Sequence, residues 1–347
     1  MAYTTIDDPE AYFETKLYVG NGGTQNITGL DFAPNWVWLK DRTNANSGRI
    51  NDTVRTATKY LIPSTTGTEA TESAGLTSFN SDGFSLGSNS DFNGDTANFV
   101  SWNWKAGTSA SGDTSGSGTA KTFSSSSSST AGFSIVKYVG NGTTNHAIPH
   151  GCGTAPKMII VKTTTKSSQA WPVDCRQVGG VMYLDETGAA GAYGNDNPFT
   201  SVAPTSSVFS VGSPGNTNYN DDTYIAYCFA EKQGYSKFGS YVGNGNADGT
   251  FVYTGFRPAW VIIKQSSASG NQWNIIDNKR DIDNPVTEFL LANTNGAEVT
   301  YTMLDFLSNG FKLRTVASNF NATTTYVYMA FAESPFVNSN GVPNNAR

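Results

Sequence analysis

Charge is scarce in this chain. Lys, Arg, Asp and Glu make up 14% of its 347 residues, against about 25% in an ordinary globular domain. The net charge of −6 is spread thinly, with no basic stripe, which argues against nucleic acid as a partner. No apolar stretch approaches the roughly 20 residues that a membrane-spanning helix needs, so membrane insertion is not expected. Met1 to Asp8 lack the basic and apolar regions of a signal peptide. Cys152, Cys175 and Cys228 stand singly. That pattern predicts buried, reduced thiols rather than a disulfide frame, and assembly in a reducing cytoplasm. Helical periodicity is missing beyond a turn or two.

What the chain does have is self-similarity, which fixes architecture before any motif is read. Tyr-Val-Gly-Asn-Gly stands at Tyr18 to Gly22, Tyr138 to Gly142 and Tyr241 to Gly245. Each copy is followed, 16 to 18 residues after its tyrosine, by a proline opening an apolar run that ends in lysine: Pro34 to Lys40, Pro156 to Lys162 and Pro258 to Lys264. A closing block follows at Phe99 to Trp104, Tyr224 to Phe229 and Tyr326 to Phe331. Short strands punctuated by Gly, Asn and Pro predict an all-β fold. The expectation is three tandem antiparallel β-sandwich domains, jelly-roll or lectin-like, from an internal triplication. Their expected bounds are 14–106, 131–233 and 234–334, with an N-terminal arm over 1–13 and an irregular tail over 335–347. Residues 107–130, with six consecutive serines from Ser124 to Ser129, read as a flexible Gly/Ser/Thr-rich linker or extended surface loop. No such linker parts the second and third copies, which are expected to pack as a rigid pair.

The Pro-to-Lys runs read as strands buried on both faces. The closing strands alternate instead, with Val100, Trp102 and Trp104 on one face, matched by Ile225, Tyr227, Phe229 and by Val327, Met329, Phe331. That pattern predicts half-buried strands whose large rings are core. In the repeated turn, Gly20, Asn21, Gly22, Gly140, Asn141, Gly142, Gly243, Asn244 and Gly245 are expected to be structural, because glycine and asparagine tolerate φ > 0. A dinucleotide fingerprint would need glycine where Gln25, Asn145 and Asp248 stand.

Other motifs fail when the copies are compared. Gly83-Phe84-Ser85-Leu86-Gly87 has the pattern of a hydrolase elbow, but Lys312 stands at the serine's place in the third copy. Asp91 to Asp95 offers alternate oxygen ligands, yet Thr96 and Trp102 occupy the positions where a calcium loop needs Gly and Glu. An Asx-rich turn fits better. Trp171, Asp174 and Arg176 align with Trp273, Asp277 and Arg280, and Asp52 with Arg55 is the nearest equivalent in the first copy; such Asp–Arg pairs read as structural ion pairs. No catalytic, metal or cofactor residues emerge.

The blocks resemble a family of repeat-built proteins of marine tailed bacteriophages, described as tail-fibre-like or virion structural. The resemblance rests on Tyr-Val-Gly-Asn-Gly, Ala147 to Gly151, Thr56 to Leu61, Ser81 to Gly87, Tyr224 to Glu231, Gly255 to Trp260 and the ending Phe336 to Arg347. It implies a non-enzymatic protein of the virion surface that contacts other virion proteins of the tail or capsid. A receptor-binding tail fibre is the leading expectation, with a capsid-decorating protein or head fibre as the alternative and a glycan hydrolase as a minor one. Loops on rigid sandwiches suit recognition of host-cell glycans, and Trp171, Trp273 and Tyr193 are the candidate contacts. A homotrimer is the expected oligomer.

Overall fold

Each repeat begins its sheet the same way. The structure, a computed structural model, describes residues 2–344. Three leading strands, Phe13–Val19, Phe133–Val139 and Ser236–Val242, pair antiparallel with three closing strands, Asn98–Trp104, Thr223–Phe229 and Thr325–Pro335. Each closing strand pairs on its other side with a lysine strand, respectively Trp36–Asp41, Met158–Thr163 and Phe256–Gln265. The lysine strands then pair with acid strands Arg49–Asp52, Pro172–Cys175 and Asn274–Asp277. The chain is thus all-β and antiparallel, with helical turns only at Pro9–Ala11, Ser90–Asn93 and Arg176–Val178 among the described residues. Among the described residues no helix is long and apolar enough to cross a membrane.

A smaller layer covers one face of each sheet. It is a three-stranded sheet in the first and second repeats, and in the third it continues the main sheet to eight strands. Side chains at alternate positions fill the space between. Val37, Leu39 and Phe99 do so in the first repeat, Ile159, Val161 and Tyr224 in the second, and Val261, Ile263 and Tyr326 in the third.

The other face of every main sheet turns to one central core. Trp36, Trp38, Trp102 and Trp104 meet Met158, Ile160, Tyr227 and Phe229 there, together with Trp260, Ile262, Met329 and Phe331. Ring centroids lie 4.7 Å apart for Trp36–Tyr227, 5.6 Å for Trp104–Trp260 and 6.1 Å for Phe229–Phe331, so all three repeats touch pairwise. The closing strands are therefore buried on both faces, not half-buried as their alternation implied. Their smaller residues, such as Ser101, Ala226 and Cys228, are also buried, because a second layer covers that side. The large rings of all three repeats are thus buried in one shared cluster.

The serine-rich stretch is no flexible linker. Thr108–Asp113 and Thr122–Ser128 form a hairpin that extends the second repeat's sheet beyond its leading strand. Backbone pairing, with Phe123 opposite Tyr138 and Ser125 opposite Val136, overrides the loop preference of serine. Pro34 and Pro156 precede their strands as expected, whereas Pro258 lies inside one at a shift in register.

The arm and tail fold onto their own chain. Ile6 enters the central core, Thr4 Oγ1 donates to Gln233 O at 2.8 Å, and Ser339 N donates to Asp7 Oδ1 at 2.7 Å. The last residues of the family-like ending, Asn345, Ala346 and Arg347, lie outside the described residues, as does Met1.

Candidate functional site

The repeated turn is a lock. In each repeat a tyrosine hydroxyl donates to the carbonyl before a buried asparagine: Tyr18 to Phe92 O at 2.7 Å, Tyr138 to Thr217 O at 2.6 Å and Tyr241 to Phe320 O at 2.6 Å. The asparagine, Asn93, Asn218 or Asn321, then grips the turn. Its Oδ1 accepts from the amide of Asn21, Asn141 or Asn244 at 2.9–3.1 Å. Its Nδ2 donates to two backbone carbonyls, for example from Asn321 to Asn246 O at 2.7 Å and Thr315 O at 2.8 Å. The two glycines have different reasons. A Cβ on Gly20, Gly140 or Gly243 would lie 2.0–2.2 Å from a facing carbonyl oxygen, and Gly22, Gly142 and Gly245 sit at φ of +64°, +69° and +67°. Tyr-Val-Gly-Asn-Gly is thus the seam between leading and closing strands.

Between repeats the contacts run in a cycle. Tyr227 OH of the second repeat donates to Asp52 Oδ2 of the first at 2.8 Å, and Trp102 Nε1 of the first donates to Asp277 Oδ2 of the third at 3.0 Å. Both carboxylates are buried and paired three residues on, Asp52 with Arg55 at 2.5 Å and Asp277 with Arg280 at 2.6 Å. The second repeat departs from this pattern. Its register places Cys175, not Asp174, opposite Met158, where Asp52 faces Trp36 and Asp277 faces Trp260. A one-residue offset turns a strand side chain to the other face. Asp174 therefore points to its own repeat's outer core, where it accepts from Tyr193 OH at 2.6 Å and Arg176 Nε at 2.9 Å. Burial raises its pKa against the pull of Arg176. The third contact of the cycle is apolar on both sides, with Cys175, Val178 and Met329 replacing acid, base and donor.

Two of the three equivalent buried lysines also reach across to a neighbouring repeat. Lys40 Nζ donates to Thr294 O of the third repeat at 3.1 Å, and Lys264 Nζ to Thr187 O and Gly188 O of the second at 3.2 and 3.1 Å. Lys162 Nζ instead donates to Gln169 O within its own repeat. Burial pulls all three ammonium groups down to about 8. Trp171 and Trp273 belong to the same seam and are at most 1% exposed. Their Nε1 atoms donate to Thr65 O of the first repeat at 3.0 Å and Tyr183 O of the second at 2.8 Å. An enclosed ring offers no face to a sugar, so Trp171 and Trp273 are architectural, whereas Tyr193 is half-buried, donating to Asp174 beneath the Arg176 guanidinium.

The remaining motifs are also occupied. Ser85 Oγ donates to Asn26 Oδ1 at 2.8 Å from within a strand. Asp91 pairs with Arg49, and among the described residues no group of three or more His, Cys, Asp or Glu is placed to hold a metal. His146 bridges Asn218 Oδ1 at 3.0 Å and Thr114 Oγ1 at 2.6 Å. His150 Nε2 lies 3.1 Å from Thr205 O, and burial lowers the pKa of both imidazoles. The three cysteines are free and buried.

Open space lies elsewhere. A cleft of about 600 Å³ separates Asn35, Thr53 and Val54 of the first repeat from the serine hairpin. Ser109 stands opposite Ser126 and Ser111 opposite Ser124, so the four hydroxyls share the hairpin face that lines it. The family comparison bears on this whole span. Residues 8–335 match a family described as a domain of unknown function, DUF7483. The chain belongs to the DUF7483 family. The match runs through all three repeats as one domain, in agreement with their single central core. No curated protein and no solved structure matches this DUF7483 chain. Sequence reasoning missed the cleft because serine alternation carries no hydropathy signal. It missed the lysine contacts because a strand-end lysine reads as a solvent anchor.

Proposed function

We propose that this DUF7483 chain is a non-enzymatic bacteriophage virion surface protein of tail-fibre, receptor-binding type. One observation carries the reading: the chemistry shared by the repeats is spent on architecture. The asparagine locks close each repeat's own seam, Lys40, Lys264, Asp52 and Asp277 bond to a neighbouring repeat, and both histidines are engaged inside. What varies between copies lies in loops and the hairpin, the usual place for recognition on a rigid scaffold. The resemblance of the repeated blocks to tail-fibre-like phage proteins points the same way. The strand order leading–closing–lysine–acid, found in every main sheet, supports descent of the three repeats from one β-sandwich by triplication. Gold-labelled antibody and quantitative mass spectrometry on purified virions test the reading. Label at the tail in low copy number is expected. Label over the head at lattice-scale copy number overturns it in favour of capsid decoration.

A further inference from the structure

The hairpin at residues 108–128 has no counterpart in the other repeats, and its burial does not explain it. Thr108–Asp113 is exposed along its whole length, so ordering it costs conformational entropy with little apolar burial in return. Its effect is on the neighbouring cleft. The corresponding cleft between the second and third repeats, beside Gln177 and Ser240, encloses about 300 Å³. The hairpin gives its own cleft twice that volume and a floor of hydroxyls. Ser126 Oγ accepts from Gly107 N at 3.0 Å. The hydroxyls of Ser109, Ser111 and Ser124 have no hydrogen-bond partner among the described residues. Across from them Asn35 is held in place, accepting from Ala106 N at 2.8 Å and donating to Thr53 Oγ1 at 3.3 Å. No charged or aromatic side chain lines the cleft.

We propose that this cleft binds a neutral oligosaccharide, whose hydroxyls pair with Ser109, Ser111 and Ser124 on one wall and Asn35 and Thr53 on the other. The volume falls within the ordinary range for ligand sites, about 300–1,000 Å³. An uncharged lining gives no compensation for desolvating a carboxylate or sulfate, which selects against acidic glycans. An extended array of paired donor–acceptor hydroxyls suits a polyol, since each hydroxyl both gives and accepts a hydrogen bond. The inference rests on the host-surface reading above and names the ligand class for it.

The test is binding of the full chain to immobilised maltohexaose, laminarihexaose and chitohexaose, with alginate oligomers as the acidic comparison. At least one neutral probe should bind. Ser109→Ala/Ser111→Ala/Ser124→Ala and, separately, Ser111→Arg should weaken it at least tenfold, and Ser240→Arg in the other cleft should leave it unchanged. Ser111 is exposed, so the variants should keep the parent's melting temperature. No neutral binding, a preference for alginate, or binding undiminished by both variants overturns the proposal. Adsorption of the labelled protein to the phage's host separates the two readings. If Ser111→Arg adsorbs normally, the cleft assignment fails and the receptor-binding reading stands; if the parent does not adsorb, the receptor-binding reading fails.

Discussion

Asn93, Asn218 and Asn321 each satisfy backbone groups on both sides of a seam with one fully buried side chain. Removing such a group strands several buried donors and acceptors at once, at about 1–3 kcal/mol each where water cannot reach. Asn321→Ala should therefore cost about 2–4 kcal/mol in urea melts, and Asn246→Ala, in the exposed loop, far less; equal small losses would contradict the lock. The buried lysines give a pH signature. With its folded pKa near 8 against 10.5 unfolded, Lys264 is less protonated in the folded state between those values. The unfolded chain then binds more protons, so stability rises with pH across that window. Relative to Lys264→Met, the parent should gain about 2 kcal/mol between pH 7.5 and 9.5; a flat difference would mean the ammonium is not desolvated. The turn glycines and Asn21, Asn141 and Asn244 were legible from repetition alone, whereas Asn93, Asn218 and Asn321, which grip them, read only as part of an Asx-rich turn. The mispaired Asp174 also left a signal: its arginine is two residues on, not three as after Asp52 and Asp277.

At the scale of elements, the legible strands are those whose pattern is hydrophobic. The Pro-to-Lys runs were readable as doubly buried because four or five apolar residues in succession leave no polar face. The closing strands misled because Ser101, Asn103, Ala226 and Cys228 are small or polar, and nothing local reveals that a second layer will cover them. The hairpin was illegible for the opposite reason: its strands exist through pairing with Phe133–Val139, a contact distant in neither sequence nor space but invisible in composition. Hydrogen exchange reads this directly. Amides of Ser124–Ser127, paired on both sides, should be strongly protected, and those of Thr108–Asp113 should alternate between protected and free along an edge. Uniformly fast exchange over residues 107–130 would restore the flexible linker.

For the whole molecule, the central core makes the three repeats one body. Trp104 is fully buried and packs on Phe13, Trp36 and Trp260, at ring distances of 4.7, 4.4 and 5.6 Å. Trp104→Ala should cost about 3–5 kcal/mol, the usual range for emptying an aromatic core site. Because its neighbours belong to two repeats, that loss should fall on the entire chain. Triplication was readable in sequence; the sharing of a core was not, since the same alternating strands would serve three separate sandwiches equally well. Differential scanning calorimetry of the parent and Trp104→Ala tests the shared core most directly. One transition is expected, with calorimetric and van't Hoff enthalpies in agreement, moving as a single peak in the variant. Two or three transitions, with only one displaced by Trp104→Ala, would show that the repeats fold as separate domains.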